Sequence, residues 1–142
     1  MKKHRYFIII LLAFALTAGS TTSWAQQAKR IQLEQLETMF SNIRTKTKWD
    51  VDGPLLWGYF FFDQNLNKLK QAASELQGSG YRVVGLEQVE GKHFFRLHVE
   101  KVEAHTPKSL YARNNELYLL AERLSIVSYD GMDVGPAPAA SK

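Results

Sequence analysis

The chain has 142 residues, a formal net charge of +4 and no cysteine. The absence of cysteine excludes disulfide bonds, thiol catalysis and cysteine-ligated metal sites. The length suits a single domain that can bury one hydrophobic core.

Residues 1–25 have the features of a secretory signal peptide. A basic start, MKKHRYF, precedes the apolar run FIIILLAFALTA, and the small residues Ser23 and Ala25 fit cleavage after Ala25. The apolar run is shorter than the roughly 20 residues that cross a membrane. We therefore expect an exported protein, periplasmic or secreted, with no stable membrane anchor after cleavage.

Cleavage would change the charge of the protein. It removes three basic residues and no acidic residue, so 117 residues with a net charge of +1 remain. A domain this close to neutral offers little electrostatic attraction to nucleic acid or to an anionic membrane. The charge therefore argues against nucleic acid as the partner.

The mature chain opens with an amphipathic helix and a break. Apolar residues recur at helical spacing within residues 26–48, and DVDGP at 50–54 ends the helix because proline and glycine disfavour its extension. The run LLWGYFFF at 55–62 is too short for a typical helix. It predicts a central strand that is apolar on both faces.

A second helix and a hairpin follow. Asp63 is the expected N-cap of a leucine-striped helix that ends at GSG, residues 78–80. YRVVGLEQV at 81–89 and HFFRLHVEKVE at 93–103 predict an antiparallel pair of strands.

The last two elements complete the fold prediction. Thr106 and Pro107 are the expected N-cap and first residue of a helix, and Ile126 begins a final strand. The order within residues 50–135 is then β-α-β-β-α-β, which predicts an α+β, ferredoxin-like sandwich with both helices on one sheet face. The N-terminal helix is an extra element, expected at a sheet edge, with a position over the aromatic rings of the sheet as the alternative. Residues 136–142 are expected to form a flexible tail.

The segment LAERLSIVSYDG, residues 120–131, resembles the closing signature of the family called regulator of ribonuclease E activity B (RraB). The aromatic strand at 55–62, the leucine helix after it and GYRV at 80–83 follow that family's order, so the resemblance covers residues 50–135. Met132 stands where the family usually has tryptophan. The matching signature residues are Leu120, Ala121, Glu122, Tyr129, Asp130 and Gly131.

The resemblance implies a non-catalytic protein that binds and inhibits a cytoplasmic ribonuclease, whereas this chain has an export signal. We therefore expect a binder or inhibitor of another protein, outside the cytoplasm. A toxin-neutralising immunity protein is an alternative. The Tyr129-Asp130-Gly131 motif is interpreted as structural, because a glycine with positive φ and an aspartate bonded to backbone amides would fix a chain reversal.

No catalytic, cofactor-binding or metal-binding residue is predicted. His93 and His98 are five residues apart on one strand and face opposite sides, so they cannot hold one metal ion. His105 is expected at the surface. Glu87 and Glu90 flank the hairpin and are interpreted as solvated charges, and neither a nucleophile motif nor a phosphate-binding glycine loop is present.

Aromatic residues on strand 55–62 predict a binding surface, because large rings dominate binding hot spots. The strand alternation places Phe95, Leu97 and Val99 on the sheet face that packs against the helices, and it places Phe94, Arg96, His98 and Glu100 on the face away from the helices. Their neighbours on the first strand are either the Phe60 and Phe62 set or the Trp57, Tyr59 and Phe61 set, and the sequence leaves both open. Stacking of single-stranded nucleic acid on these rings is the alternative function. The candidate partner-binding residues are Trp57, Tyr59, Phe60, Phe94, Arg96 and His98.

Overall fold

The computed structural model describes residues 30–139. The expected signal peptide, residues 26–29 of the expected N-terminal helical segment and the last three residues of the expected tail lie outside the described residues. Within the described part of the chain, no helix is long and apolar enough to cross a membrane. The elements in chain order are α1 (Leu33–Lys46), β1 (Leu55–Asp63), α2 (Leu66–Gly78), β2 (Arg82–Gln88), β3 (Phe95–Glu103), α3 (Pro107–Arg123) and β4 (Ser128–Pro136).

The four strands form one antiparallel sheet in the order β2-β3-β1-β4. The predicted α+β class is confirmed. β1 pairs along its whole length with β3, from Leu55 opposite Glu103 to Asp63 opposite Phe95, and with β4 on its other side. This central position explains why almost every residue of β1 is apolar, since both of its edges and one of its faces are covered.

The hydrophobic core lies between the sheet and the three helices. Trp57, Tyr59 and Phe61 alternate along β1, and each is 0% exposed because its side chain points into the helical layer. Leu97 and Val99 of β3 belong to the same core and are also fully buried. The inward direction predicted for these two β3 residues is confirmed.

Helix α1 is part of the helical layer. Its buried stripe consists of Leu36, Met39, Phe40 and Ile43, and the helix contacts α3. The ring of Phe40 stacks on that of Trp57 with 6.0 Å between centroids. The expectation that this helix packs against a sheet edge is therefore wrong, because its apolar stripe is buried against β1 and α3.

The predicted cap of α2 is also wrong. Asn65 is the N-cap, since its Oδ1 accepts a hydrogen bond from the Asn67 N–H at 2.9 Å. Asp63 is buried at the end of β1 and accepts hydrogen bonds from the backbone N–H groups of Asn65, at 2.6 Å, and of Val127, at 2.8 Å. A buried carboxylate must be hydrogen-bonded, and Asp63 meets this need by joining the start of α2 to the start of β4.

Helix α3 begins where the sequence predicts. Thr106 Oγ1 accepts a hydrogen bond from the Ser109 N–H at 3.1 Å, and Ser109 Oγ accepts one from the Thr106 N–H at 2.9 Å. Pro107 occupies the first helical position, where its missing N–H costs nothing. At the other end of α3, Arg123 forms an ion pair with Glu75 of α2 on the protein surface.

Candidate functional site

The sheet face opposite the helices, called the outer face below, carries side chains from all four strands. The buried side chains of α1, α2 and α3 pack on the other face. Cross-strand pairing arranges the residues of the outer face in rows across the sheet, and three of these rows contain charged or aromatic side chains. These three rows are Glu87, Arg96, Phe62 and Ser128; Gly85, His98 and Phe60; and Arg82, Glu100, Gly58 and Asp133.

The first two rows combine charge with aromatic surface. Arg96 is ion-paired with Glu87 of β2, and half-buried Phe62 lies beside it on β1. In the next row the imidazole of His98 stacks on the ring of Phe60, with 4.4 Å between centroids and 20° between planes. This stack covers one face of Phe60 and holds His98 at the centre of the sheet.

The third row contains a group of ionisable side chains over Gly58. Glu100 is ion-paired with Arg82, is only 3% exposed, and has Oε1 3.6 Å from His98 Nε2. A Cβ on Gly58 would overlap Asp133 Oδ1 and lie 2.9 Å from His98 Nε2. Only glycine therefore leaves room for both side chains. Arg82, His98, Glu100 and Asp133 are called the Gly58 cluster below.

An apolar row follows the Gly58 cluster along the strands. Leu56 of β1 lies opposite Val102 of β3 and opposite Gly135 of β4. Leu56 is buried, whereas Val102 is 48% exposed. The outer face thus places one exposed aliphatic side chain, that of Val102, next to the paired charges of Arg82 and Glu100.

The structure separates the predicted binding residues into two groups. Phe60, Arg96 and His98 lie together on the outer face. Of the two sets of β1 aromatic residues that the sequence left open as their neighbours, the Phe60 and Phe62 set is therefore the one on the outer face. Trp57 and Tyr59 point the opposite way and are 0% exposed, so their assignment to a surface is wrong. The role of the outer-face residues in binding stays a prediction.

Other predictions concerned residues near the ends of β3. Phe94 lies in the hairpin just before β3, and its carbonyl accepts a hydrogen bond from the Val89 N–H at 2.8 Å. His105 is buried, against expectation, with its ring nitrogens 2.9 Å from Ser109 Oγ and 3.2 Å from Glu103 Oε2. Burial lowers the pKa of His105 below its usual value. Phe94 precedes the strand and lies outside the paired rows of the outer face, and the ring nitrogens of His105 contact Ser109 and Glu103, outside the Gly58 cluster.

Sequence reasoning missed Gly58 and three of the four residues of the Gly58 cluster, namely Arg82, Glu100 and Asp133. Glu100 was placed on the correct face of β3 but was given no role. Gly58 interrupts an otherwise aromatic and aliphatic strand, and that interruption was the available signal for a close approach of other side chains. Asp133 comes from β4, and no sequence pattern connects it to Gly58.

Tyr129 of the family signature lies in the core. Its hydroxyl donates a hydrogen bond to Asn114 Oδ1 at 2.6 Å, and Asn114 Nδ2 donates to the Leu110 carbonyl at 2.8 Å. Burial raises the pKa of Tyr129 well above its usual value. Met132 is also directed inward, with its Sδ 3.1 Å from Asn114 Nδ2. These contacts attach β4 to α3.

Gly131 has a φ of +95°, as the structural interpretation of the motif predicts. The predicted chain reversal is wrong, because β4 continues from Ser128 to Pro136. Asp130 and Gly131 form a β-bulge, in which these two residues lie opposite the single residue Phe60. Asp130 is exposed and its carboxylate accepts a hydrogen bond from the Ser128 hydroxyl, so it does not bond the backbone amides that the sequence suggested.

The other signature residues lie on α3. Ala121 is buried and Leu120 is half-buried against the core. Glu122 forms an ion pair with Arg30, which precedes α1. Among the described residues, no group of three or more His, Asp or Glu side chains could hold a metal ion.

These features describe an α+β domain with a mixed apolar and charged sheet face. A model of the family described as Regulator of ribonuclease activity B (RraB) matches residues 33–134, more than two thirds of the chain. The chain belongs to the RraB family, a family of regulators that bind other proteins. The match begins with the first residue of α1 and ends within β4. A search of curated proteins found no match to the chain.

Proposed function

We propose that this protein is a non-catalytic regulator that binds another protein through its outer face, outside the cytoplasm. The observation that carries the proposal is the arrangement of that face: the exposed side chain of Val102, the stack of His98 on Phe60, and the Gly58 cluster, all on paired strands. Side chains on a paired sheet lose little conformational freedom on binding, which favours recognition. The order of strands and helices supports assignment to the ferredoxin-like class, with α1 as an added helix.

Charge and stacking argue against single-stranded nucleic acid as the ligand of this face. His98 stacks on one face of Phe60 and so occupies part of the aromatic surface that a base would need. The β4 side of the face carries Asp130 and Asp133, and Glu100 lies in the centre. These carboxylates would repel a phosphate backbone, so a protein surface is the better match.

The binding surface can be tested with two matched substitutions. Val102→Lys replaces the exposed aliphatic side chain of the outer face by a charged one, and Leu119→Lys does the same on α3, where Leu119 is 57% exposed. Immobilised protein should capture a partner from an extract of the exported fraction. We expect Val102→Lys to reduce capture at least tenfold, because a buried unpaired charge is costly, while Leu119→Lys leaves capture unchanged.

Both variants should unfold within a few degrees of the wild-type protein, since each site is exposed. If Leu119→Lys loses capture and Val102→Lys retains it, the binding surface would instead lie on the helices. A captured nucleic acid, identified by nuclease sensitivity, would contradict the proposed partner class.

The proposed location outside the cytoplasm depends on the N-terminal segment. Intact-mass measurement of the protein isolated from the periplasmic or culture fraction is expected to give a chain that begins at Gln26. A cytoplasmic protein that retains Met1 would contradict export. A cytoplasmic ribonuclease would then become the first partner to test.

A further inference from the structure

The two edges of the sheet are protected to different extents. β4 contains the Gly131 bulge and ends at Pro136, and Ile31 packs over Gly131, with Cδ1 3.3 Å from the position of a Cβ there. Bulges, prolines and covering segments are the usual protection of an edge strand. β2, the other edge, also contains a bulge, between Val83 and Gly85, but it has no proline, and no strand of the described residues pairs with its outer side.

We infer that a second copy of this chain pairs with β2 in an antiparallel arrangement, which joins two sheets into one of eight strands. The sequence of β2, RVVGLEQ, defines the register. With the two-fold axis between Val84 and Gly85, Arg82 of one copy lies opposite Glu87 of the other, and this contact occurs twice. The inference concerns the sheet edge and does not depend on the proposed use of the outer face.

Charge complementarity carries this register. Within one copy Arg82 is paired with Glu100, and Glu87 is paired with Arg96. Dimerisation would place Arg82 beside Glu87 of the second copy and so form rows of four residues with alternating charge. Opposite charges directly across a strand pair are favourable, and like charges are unfavourable.

The same register also matches the apolar side of β2. Val83 and Leu86 lie opposite Val99 and Leu97 of β3, so they face the helical layer, and both are half-buried against the core. In the dimer Val83 of one copy would lie opposite Leu86 of the other. A shift by one residue would bring together opposite faces of the two sheets and would lose both charge contacts.

The strength of the dimer is limited by the size of the contact and by the bulge between Val83 and Gly85. A single pair of seven-residue strands buries less than the roughly 1,200 Å² of a stable interface, and a bulge increases strand twist. We therefore expect reversible self-association at micromolar or higher concentration, with the outer faces of both copies on the same side of the joined sheet.

Engineered disulfides test the register, since the chain has no cysteine of its own. In the variant Arg82→Cys/Glu87→Cys, the two cysteines of one chain are about 16 Å apart along β2 and cannot bond to each other. Across the proposed dimer they are direct neighbours. We expect mild oxidation of the full chain as purified, at high concentration, to give a covalent dimer that reducing agent dissociates.

The matched control is Arg82→Cys/Gln88→Cys, in which the second cysteine points to the opposite face of β2. Its yield of covalent dimer should be at least tenfold lower. Equal yields from both variants, or no dimer from either, would overturn the register.

Sedimentation equilibrium without cross-linking tests the association itself. Glu87→Lys should raise the dimer dissociation constant at least tenfold, because it places like charges opposite Arg82 of the second copy. Glu37→Lys makes the same change of charge on the exposed face of α1 and should leave dimerisation unchanged. A wild-type protein that stays monomeric at millimolar concentration would overturn the inference.

Discussion

Replacement of Trp57 by alanine is expected to lower the free energy of unfolding by about 3–5 kcal/mol. Trp57 is 0% exposed, stacks on Phe40, and meets the ring of His105 edge-on at 5.5 Å. Its Nε1 donates a hydrogen bond to the Glu103 carbonyl at 3.0 Å. Alanine would leave a cavity below α1 and remove the donor for that carbonyl. Urea denaturation followed by circular dichroism measures the effect.

Two controls separate a core residue from a surface residue. Trp57→Phe keeps a ring against Phe40 and loses the hydrogen bond, so it should cost clearly less than Trp57→Ala. Val102→Ala, on the outer face of the same sheet, should change stability by less than about 1 kcal/mol. A Trp57→Ala protein as stable as the wild type would indicate that Trp57 lies at the surface. That result would contradict the packing described above.

The misplacement of Trp57 in the sequence prediction has a physical cause. Alternation assigns faces only when apolar and polar residues alternate, and β1 is apolar at both parities. β3 alternates clearly, and its inward residues, Leu97 and Val99, were predicted correctly. The face of β1 follows from its pairing with β3, in which Tyr59 lies opposite Val99 and Phe60 opposite His98. That register is a tertiary contact between strands more than 30 residues apart.

The Gly58 cluster was harder to predict from the sequence, because a bulge in β4 determines that Asp133 is one of its members. Phe61 lies opposite Tyr129, and regular pairing would continue with Tyr59 opposite Gly131. The extra residue at the bulge instead places Met132 opposite Tyr59 and Asp133 opposite Gly58. Without the bulge, Asp133 would lie opposite inward-facing Trp57, because a shift by one residue exchanges the two faces of a strand.

Gly131 of the family signature therefore determines which β4 side chains lie on the outer face. Its left-handed conformation lets β4 take one extra residue and then continue with apolar side chains inward and Asp133 outward. The sequence correctly indicated a glycine with positive φ. It did not indicate that the backbone kink lies inside a strand, since the same residue pattern is common in chain reversals.

The last prediction follows from this role of Gly131. Gly131→Val is expected to lower the free energy of unfolding by about 1–3 kcal/mol, because valine is strained at a φ of +95°. A Cβ would also lie 3.3 Å from Ile31 Cδ1, so Ile31 would have to move. If the bulge is lost instead, β4 would shift by one residue and carry Asp133 away from Gly58. The variant should then lose partner capture as well as stability.

The matched control is Gly85→Val, a change of the same size in edge strand β2. Gly85 has no positive φ, and a Cβ there would meet no atom within 4 Å, so valine should change stability by no more than about 0.5 kcal/mol. The stability of Gly131→Asn should lie between those of the two valine variants, since asparagine tolerates the left-handed region better than valine does. Thermal and urea unfolding of the three variants measures the order. Equal stability of Gly131→Val and Gly85→Val would show that the bulge does not require glycine. The presence of Gly131 in the family signature would then have to be explained by a role in partner binding.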